Sequence, residues 1–226
     1  MPTNFYSSYG DYKKYRSPSI EPKDIQRYDA EIWEPAGFSK SMEYLEIGSG
    51  TGEFLTYLYQ KGVVNFYGID IDPNLKEVQK HEIAEKFECI SAWEYLNSCE
   101  KNRFDRVILL DVLEHFSPEE AIELLYLIKK ILREKGFIVL KVPNAASPWG
   151  LNYQVGDLTH KTSYSSDSLR QLAIACDLNV ISIYDQNRGS KRRLITNKII
   201  NKFLSWALLT PPKFWGANLY CILSAK

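Results

Sequence analysis

Several things are scarce in this chain of 226 residues, and each scarcity narrows its class. Cysteine is rare: Cys89, Cys99, Cys176 and Cys221 stand far apart, with no C-x-x-C pair and no histidine at zinc spacing. That pattern argues against a disulfide framework or a zinc module, and for free thiols that are mostly buried in apolar surroundings. No uninterrupted apolar run approaches the roughly 18 residues of a membrane-spanning helix. The opening MPTNFYSSYGDYKKYRSPS lacks the apolar centre of a signal peptide. The expected location is therefore cytoplasmic. Internal repeats and low-complexity tracts are missing as well. So is net charge, since 28 Lys+Arg balance 28 Asp+Glu. Acids are also missing locally: residues 187–226 contain none, against eight basic side chains, which leaves an excess of eight acids in residues 1–186. A basic tail on an acidic body points to an anionic contact at the tail.

What is present is an ordinary globular mix, 45% hydrophobic and 25% charged, enough for one substantial core. Residues 1–40, rich in Tyr and Pro, read as an irregular arm or lid; residues 41–226 read as the domain proper. Strand-like and helix-like segments then alternate. Met42–Ile47, Val63–Ile69, Phe87–Ile90, Phe104–Leu110, Phe137–Val142, Val180–Tyr184 and Ala217–Ser224 read as strands. FDRVILL at 104–110 ends in a continuous apolar run, as a strand buried on both faces does. Residues 52–61, a polar segment opened by Pro73, and 165–176 read as helices. Ser117-Pro118-Glu119-Glu120 is a strong helix start, and Gly136 is the expected left-handed stop after Lys135. The alternation predicts an α/β fold, a mostly parallel sheet with helices on both faces.

The most informative stretch is Glu46-Ile47-Gly48-Ser49-Gly50-Thr51-Gly52, between the first strand and the first helix of the domain. Glycines there let the backbone turn sharply and approach a ligand. The spacing is not the dinucleotide G-x-G-x-x-G, because the third glycine would fall at Glu53, and no Gly-Lys-Ser/Thr follows to make a P-loop. An acid at the strand end would repel a pyrophosphate but suits a cationic ligand. Asp70 ends the second strand 18 residues beyond Gly52, close to the roughly 20 at which an acid grips ribose hydroxyls; Asp72 is the alternative.

ExGxGxG, Gly68-Ile69-Asp70, FDRVILLDVLEHF (104–116), LREKGFIVLKVPN (132–144) and the terminal NLYCILSAK together resemble class I S-adenosylmethionine-dependent methyltransferases, over about residues 42–186 plus the last strand. The resemblance implies a Rossmann-like seven-stranded sheet of order 3-2-1-4-5-7-6 with the last strand antiparallel. It implies S-adenosylmethionine as cofactor, held by Glu46, Gly48, Ser49, Gly50, Gly52, Asp70, Ile71 and Asp111. Where the family often has an acid for the adenine amine, this chain reads Ser91-Ala92-Trp93, so Trp93 is either a stacking platform or a helix core residue.

For the acceptor, the rim at the carboxyl ends of the strands is the place to look. His160, in the long loop of residues 143–164, is the expected general base, with His115 of DVLEH a second catalytic candidate. Asp111, Glu114, His115 and His160 also make a candidate site for a divalent metal, resembling the ExxEH…H set of metal-dependent RNA and some quinone O-methyltransferases, with Asp111 where those have Glu. The metal is not favoured. Residues 187–216 form an insert whose sequence predicts an amphipathic helix stopped by Pro211-Pro212, with Ile195, Ile199, Phe203 and Trp206 as its stripe. The first expectation is that it covers the acceptor site or makes a dimer contact. A peripheral contact of 191–209 with the inner face of an anionic membrane is the second, and nucleic acid is disfavoured by the acidic body. Similar basic inserts occur in methyltransferases of surface polysaccharide assembly, so the expected reaction is O-methylation of a sugar or glycan precursor, by a monomer or homodimer. The alternatives are a metal-dependent RNA or quinone O-methyltransferase, and a non-catalytic methyltransferase-like partner subunit.

Overall fold

The computed structural model describes residues 9–186 and 189–226; the first eight residues of the arm and the first two of the insert lie outside them. In chain order the elements are α1 (Tyr9–Lys13), α2 (Pro22–Tyr28) continuing into a π-helical turn (Asp29–Trp33), β1 (Tyr44–Ile47), α3 (Glu53–Gln60), β2 (Phe66–Asp70), β3 (Phe87–Cys89), α4 (Ala92–Ser98), β4 (Phe104–Leu110), α5 (Pro118–Ile131), β5 (Leu132–Pro143), α6 (Pro148–Val155), α7 (Ser166–Ala175), β6 (Leu178–Asp185), α8 (Lys191–Ala207) and β7 (Asn218–Ala225). The strands form one sheet of order β3-β2-β1-β4-β5-β7-β6. β1 pairs in parallel with β2 and β4, and β7 runs antiparallel between β5 and β6. This is the expected class I methyltransferase topology.

Side chains that alternate along the central strands separate two cores. Leu45, Ile47, Val107 and Leu109 face a layer built with α4, α5 and α7. Tyr44, Ile108 and Val139 face a second layer made by α3 and by the segment from Tyr28 to Phe38, whose Tyr28, Ile32, Ala36 and Phe38 are buried. The later part of the arm is thus core. Arg106, buried on β4, fastens it: Nε donates to the Ala36 carbonyl at 2.8 Å and Nη2 to that of Gly37 at 3.1 Å.

Several sequence expectations need correction. α5 stops at Ile131, and Gly136 is no helix cap: it lies within β5, which begins at Leu132 because the chain pairs with Phe104 of β4 there. The segment after Pro73 is a six-residue 3₁₀ helix. The loop after β5 contains a helix, α6, whose Ser147 cap accepts from the Trp149 N–H at 3.3 Å. α8 forms as expected but ends at Ala207, four residues before Pro211, and its apolar stripe faces outward. Cys176 and Cys221 are buried, Cys89 and Cys99 half-buried, and all four are free.

Candidate active site

The carboxyl ends of β1, β2, β4 and β5 meet at one edge of the sheet, where ligands bind in such folds. Sequence dictates the turn after β1. Gly48, Gly50 and Gly52 all have positive φ, 70°, 53° and 80°. The N–H groups of Gly48 and Ser49 donate to the Ile69 carbonyl at 2.8 and 3.0 Å, tying the loop to β2. A methyl group on Gly48 would run into Val112, whereas one on Gly50 would meet no atom within 4 Å. The loop is therefore close-packed behind and open in front, a cradle rather than a filled turn.

Two carboxylates border the cradle. The Gly50 N–H donates to Asp70 Oδ2 at 2.9 Å and the Asp72 N–H to Oδ1 at 3.1 Å. Burial pushes the Asp70 carboxyl above its ordinary range despite these donors. Asp72, the other sequence candidate, is used up locally: it caps the 3₁₀ helix through the Asn74 N–H and accepts from Tyr15 at 2.9 Å. Glu46 is buried beneath the loop with no hydrogen-bond partner for Oε2. Burial first, then the charges of Glu53 and Asp70, raise its carboxyl well above the usual range. A cationic ligand is the natural complement of such a group. Ser49 is buried, and Ile71 is exposed beside Asp70. Asp111, with φ 58°, pairs with Lys141 at 2.5 Å. Trp93 is half-buried on α4, its ring edge-on to Phe116 at 5.7 Å, so its helix-packing role is the one the contacts document.

In front of the cradle opens a cavity of about 610 Å³. Gly48, Ser49, Gly50, Glu46, Leu110 and Asp111 line it, and its wall also includes Tyr28, Glu31, Lys141, Gln186 and Tyr220. Glu31 sits in the π-helical turn; Oε2 accepts from Tyr220 at 2.8 Å and Gln186 at 3.2 Å, while Oε1 has no partner although the residue is buried. Sequence reasoning missed this wall, which gathers residues from positions 28 to 220. The arm crosses the same edge: Tyr12 donates to the Gly156 carbonyl at 3.0 Å, Lys13 pairs with Asp157 at 3.1 Å, and Ser17 donates to the Val78 carbonyl at 2.5 Å.

The histidines do not line this cavity. Glu114, His115 and His160 do come together, with ligand atoms within 4.8 Å of one another, but Asp111 is not in the group, held away by Lys141. Glu114 is fully buried, neither oxygen has a hydrogen-bond partner, and burial raises its carboxyl well above the ordinary range. His160 donates from Nδ1 to the Gln154 carbonyl at 2.9 Å, and its Nε2 stands 3.9 Å from Glu114. Thr159 donates to Asp157 at 2.6 Å, so the 2.9 Å contact between Thr159 and His115 Nδ1 has the imidazole as donor. Burial, then His160, push His115 down to about 4, which leaves it uncharged at neutral pH.

The comparisons agree with this geometry. No curated protein matches the chain in sequence. Solved structures share its fold. A SAM-dependent methyltransferase from Archaeoglobus fulgidus superposes with a TM-score of 0.69 at 22% identity, over 97% of this chain and 99% of the other. An S-adenosylmethionine-dependent methyltransferase from Clostridium acetobutylicum gives 0.61 at 12% identity, over 98% and 99%. The sequence profile of a methyltransferase domain matches residues 20–183. That profile spans most of the chain: the chain belongs to the methyltransferase domain family and is an S-adenosylmethionine-dependent methyltransferase.

Proposed function

We propose that the protein methylates a hydroxyl of a sugar or glycan precursor. S-adenosylmethionine, when bound, supplies an electrophilic methyl group on a cationic sulfonium. The chain's residues suit it: the open face at Gly50, the unpartnered Glu46 oxygen for its cationic end, and Asp70 for its ribose hydroxyls. The observation that carries the acceptor reading is the buried Glu31, whose Oε1 has no hydrogen-bond partner and which lines the same cavity as the cradle. A buried carboxylate oxygen without a donor calls for a hydroxyl to fill it. Glu31, oriented by Tyr220 and Gln186, would hold the acceptor hydroxyl and take its proton, while Tyr28 and Lys141 offer further hydrogen bonds to a polyhydroxylated ring. The test is a screen of nucleotide-sugars and glycan precursors for methyl uptake from labelled donor. An O-methylated sugar is expected, and Glu31→Gln should lower turnover by about 10²-fold with donor affinity retained. Methylation confined to amines, or a Glu31→Gln enzyme with normal turnover, would refute it.

A second reading, a metal-dependent O-methyltransferase acting on RNA or a quinone, is favoured by one observation: the half-buried His115 and His160 converge on the buried Glu114, neither of whose oxygens has a hydrogen-bond partner. An oxygen and two imidazoles suit a divalent ion, and the backbone carbonyl at His160 Nδ1 fixes that ring as metal-ligating histidines require. In this reading His160 and His115 act through the ion. Calorimetric titration with Mg²⁺, Mn²⁺ and Zn²⁺ decides it: binding that His160→Ala removes, with activity lost on chelation, supports the ion, and no binding leaves the histidines to loop packing.

A further inference from the structure

α8 differs from every other long helix of the molecule in that none of its described side chains is buried. Leu194, Asn201 and Leu204 are half-buried, and Ser205 accepts the Trp215 indole hydrogen at 2.9 Å, which roots the helix beside the β6–β7 pair. At about 3.6 residues per turn, the outward surface gathers Ile195, Ile199, Phe203 and Trp206 into one stripe. These are 62%, 65%, 59% and 81% exposed, and Leu209 just beyond the helix is 98% exposed. Single exposed apolar residues are ordinary; a contiguous stripe of this kind marks a contact surface. On the same helical wheel Lys198 and Lys202 flank one edge of the stripe, and the exposed Arg192 stands at its N-terminal end. No acid occurs between positions 187 and 226 to neutralise them.

We propose that α8 is an interfacial anchor that lies flat on an anionic lipid bilayer. The stripe enters the boundary between headgroups and acyl chains, and the two lysines and the arginine beside it reach the lipid phosphates. Charge selects this occupant. Two copies docked stripe to stripe about a two-fold axis would bring cationic edges together with no carboxylate in the insert to pair with them. The helix lies on the surface and does not cross it: no helix among the described residues is long and apolar enough to span a membrane.

The experiment is cosedimentation of the full chain with vesicles of mixed phosphatidylglycerol and phosphatidylcholine, against vesicles of phosphatidylcholine alone. Binding to the anionic vesicles only is expected, weakened by added salt. Replacing Ile199→Asp together with Phe203→Asp should weaken it by about tenfold or more, with little change in melting temperature because both side chains are mostly exposed. Should that pair not fold, Lys198→Glu with Lys202→Glu carries the test, since both lysines are solvated and the expected loss of anionic binding is similar. Wild-type protein that ignores anionic vesicles overturns the proposal. So does undiminished binding by either folded pair, or a lipid-free dimer in sedimentation velocity that Ile199→Asp with Phe203→Asp converts to monomers, which would give the stripe to a second copy.

Discussion

Glu46 carries an oxygen without a hydrogen-bond donor and a carboxyl that burial holds protonated well above the ordinary 4.5. The sign of its effect on stability follows from linkage. The folded state keeps a proton that the unfolded chain releases above about 4.5, so this group favours folding at low pH and loses that contribution as pH rises toward its folded value. Glu46→Gln cannot titrate. The melting temperature of Glu46→Gln minus that of wild type, both without donor, should therefore increase between pH 5 and pH 8; a flat difference in differential scanning fluorimetry would show that Glu46 is already ionised in the free protein. Donor binding runs the other way. A cation beside Glu46 favours its charged form, so binding should release a proton, seen as a calorimetric enthalpy that changes with the ionisation enthalpy of the buffer. Glu46→Gln should abolish that release and weaken binding by roughly 10- to 100-fold, the loss of one charge-assisted hydrogen bond of about 1.5–3 kcal/mol. Glu46 and Asp70 stood out in the sequence because one lies just ahead of the glycine-rich turn and the other ends the second strand 18 residues beyond Gly52. Glu31 did not, since nothing around it marks a π-helical turn or brings it to Tyr220, 189 positions away.

Among the elements, the turn between β1 and α3 does most to define the site, and its glycines are not equivalent. Gly48 is packed against Val112, so Gly48→Ala should destabilise the fold itself. Gly50 has φ 53° and open space where a methyl group would go. Gly50→Ala incurs only the left-handed backbone strain of about 1–2 kcal/mol, a fall in Tm of roughly 2–8 °C for a chain of this size. The new methyl group stands in the cradle, so donor affinity should fall by about tenfold or more, equal to ~1.4 kcal/mol. A folded Gly50→Ala protein that binds donor normally in isothermal titration would move the donor off this turn. At this scale the sequence was informative where period and boundary agreed, as in FDRVILL, which is β4 residue for residue. It misled at Lys135-Gly136, where a helix-stop signal lies inside β5 because pairing with β4 overrides local preference. α6 was missed although Ser147-Pro148 repeats the cap-and-proline start of Ser117-Pro118; the loop around it hid a signal that was there to be read.

For the molecule as a whole, the zero net charge separates into an acidic sheet domain and a basic insert that the fold does not use. β6 and β7 are antiparallel neighbours whose last pair, Asp185 with Leu219, needs only a short turn. Asp185 holds that turn itself, accepting from the Trp215 and Gly216 N–H groups at 3.2 and 2.8 Å. Excising residues 191–213 and closing the gap with a few glycines and serines should therefore leave the domain folded. The excision breaks the Trp215–Ser205 hydrogen bond, about 0.5–1.5 kcal/mol. Shortening the loop opposes this loss, by about 0.6 kcal/mol for each halving of its length. The two nearly cancel, and the expected change in Tm is within about 3 °C. The excision removes six basic and no acidic residues, so the shortened protein should run as a distinctly more acidic species on isoelectric focusing. It should still bind donor, because no residue of the excised segment lines the cavity. A loss of 10 °C or more, or of donor binding, would mean that α8 is part of the core rather than an appendage to it, and that its outward stripe is balanced by inward contacts the fold requires.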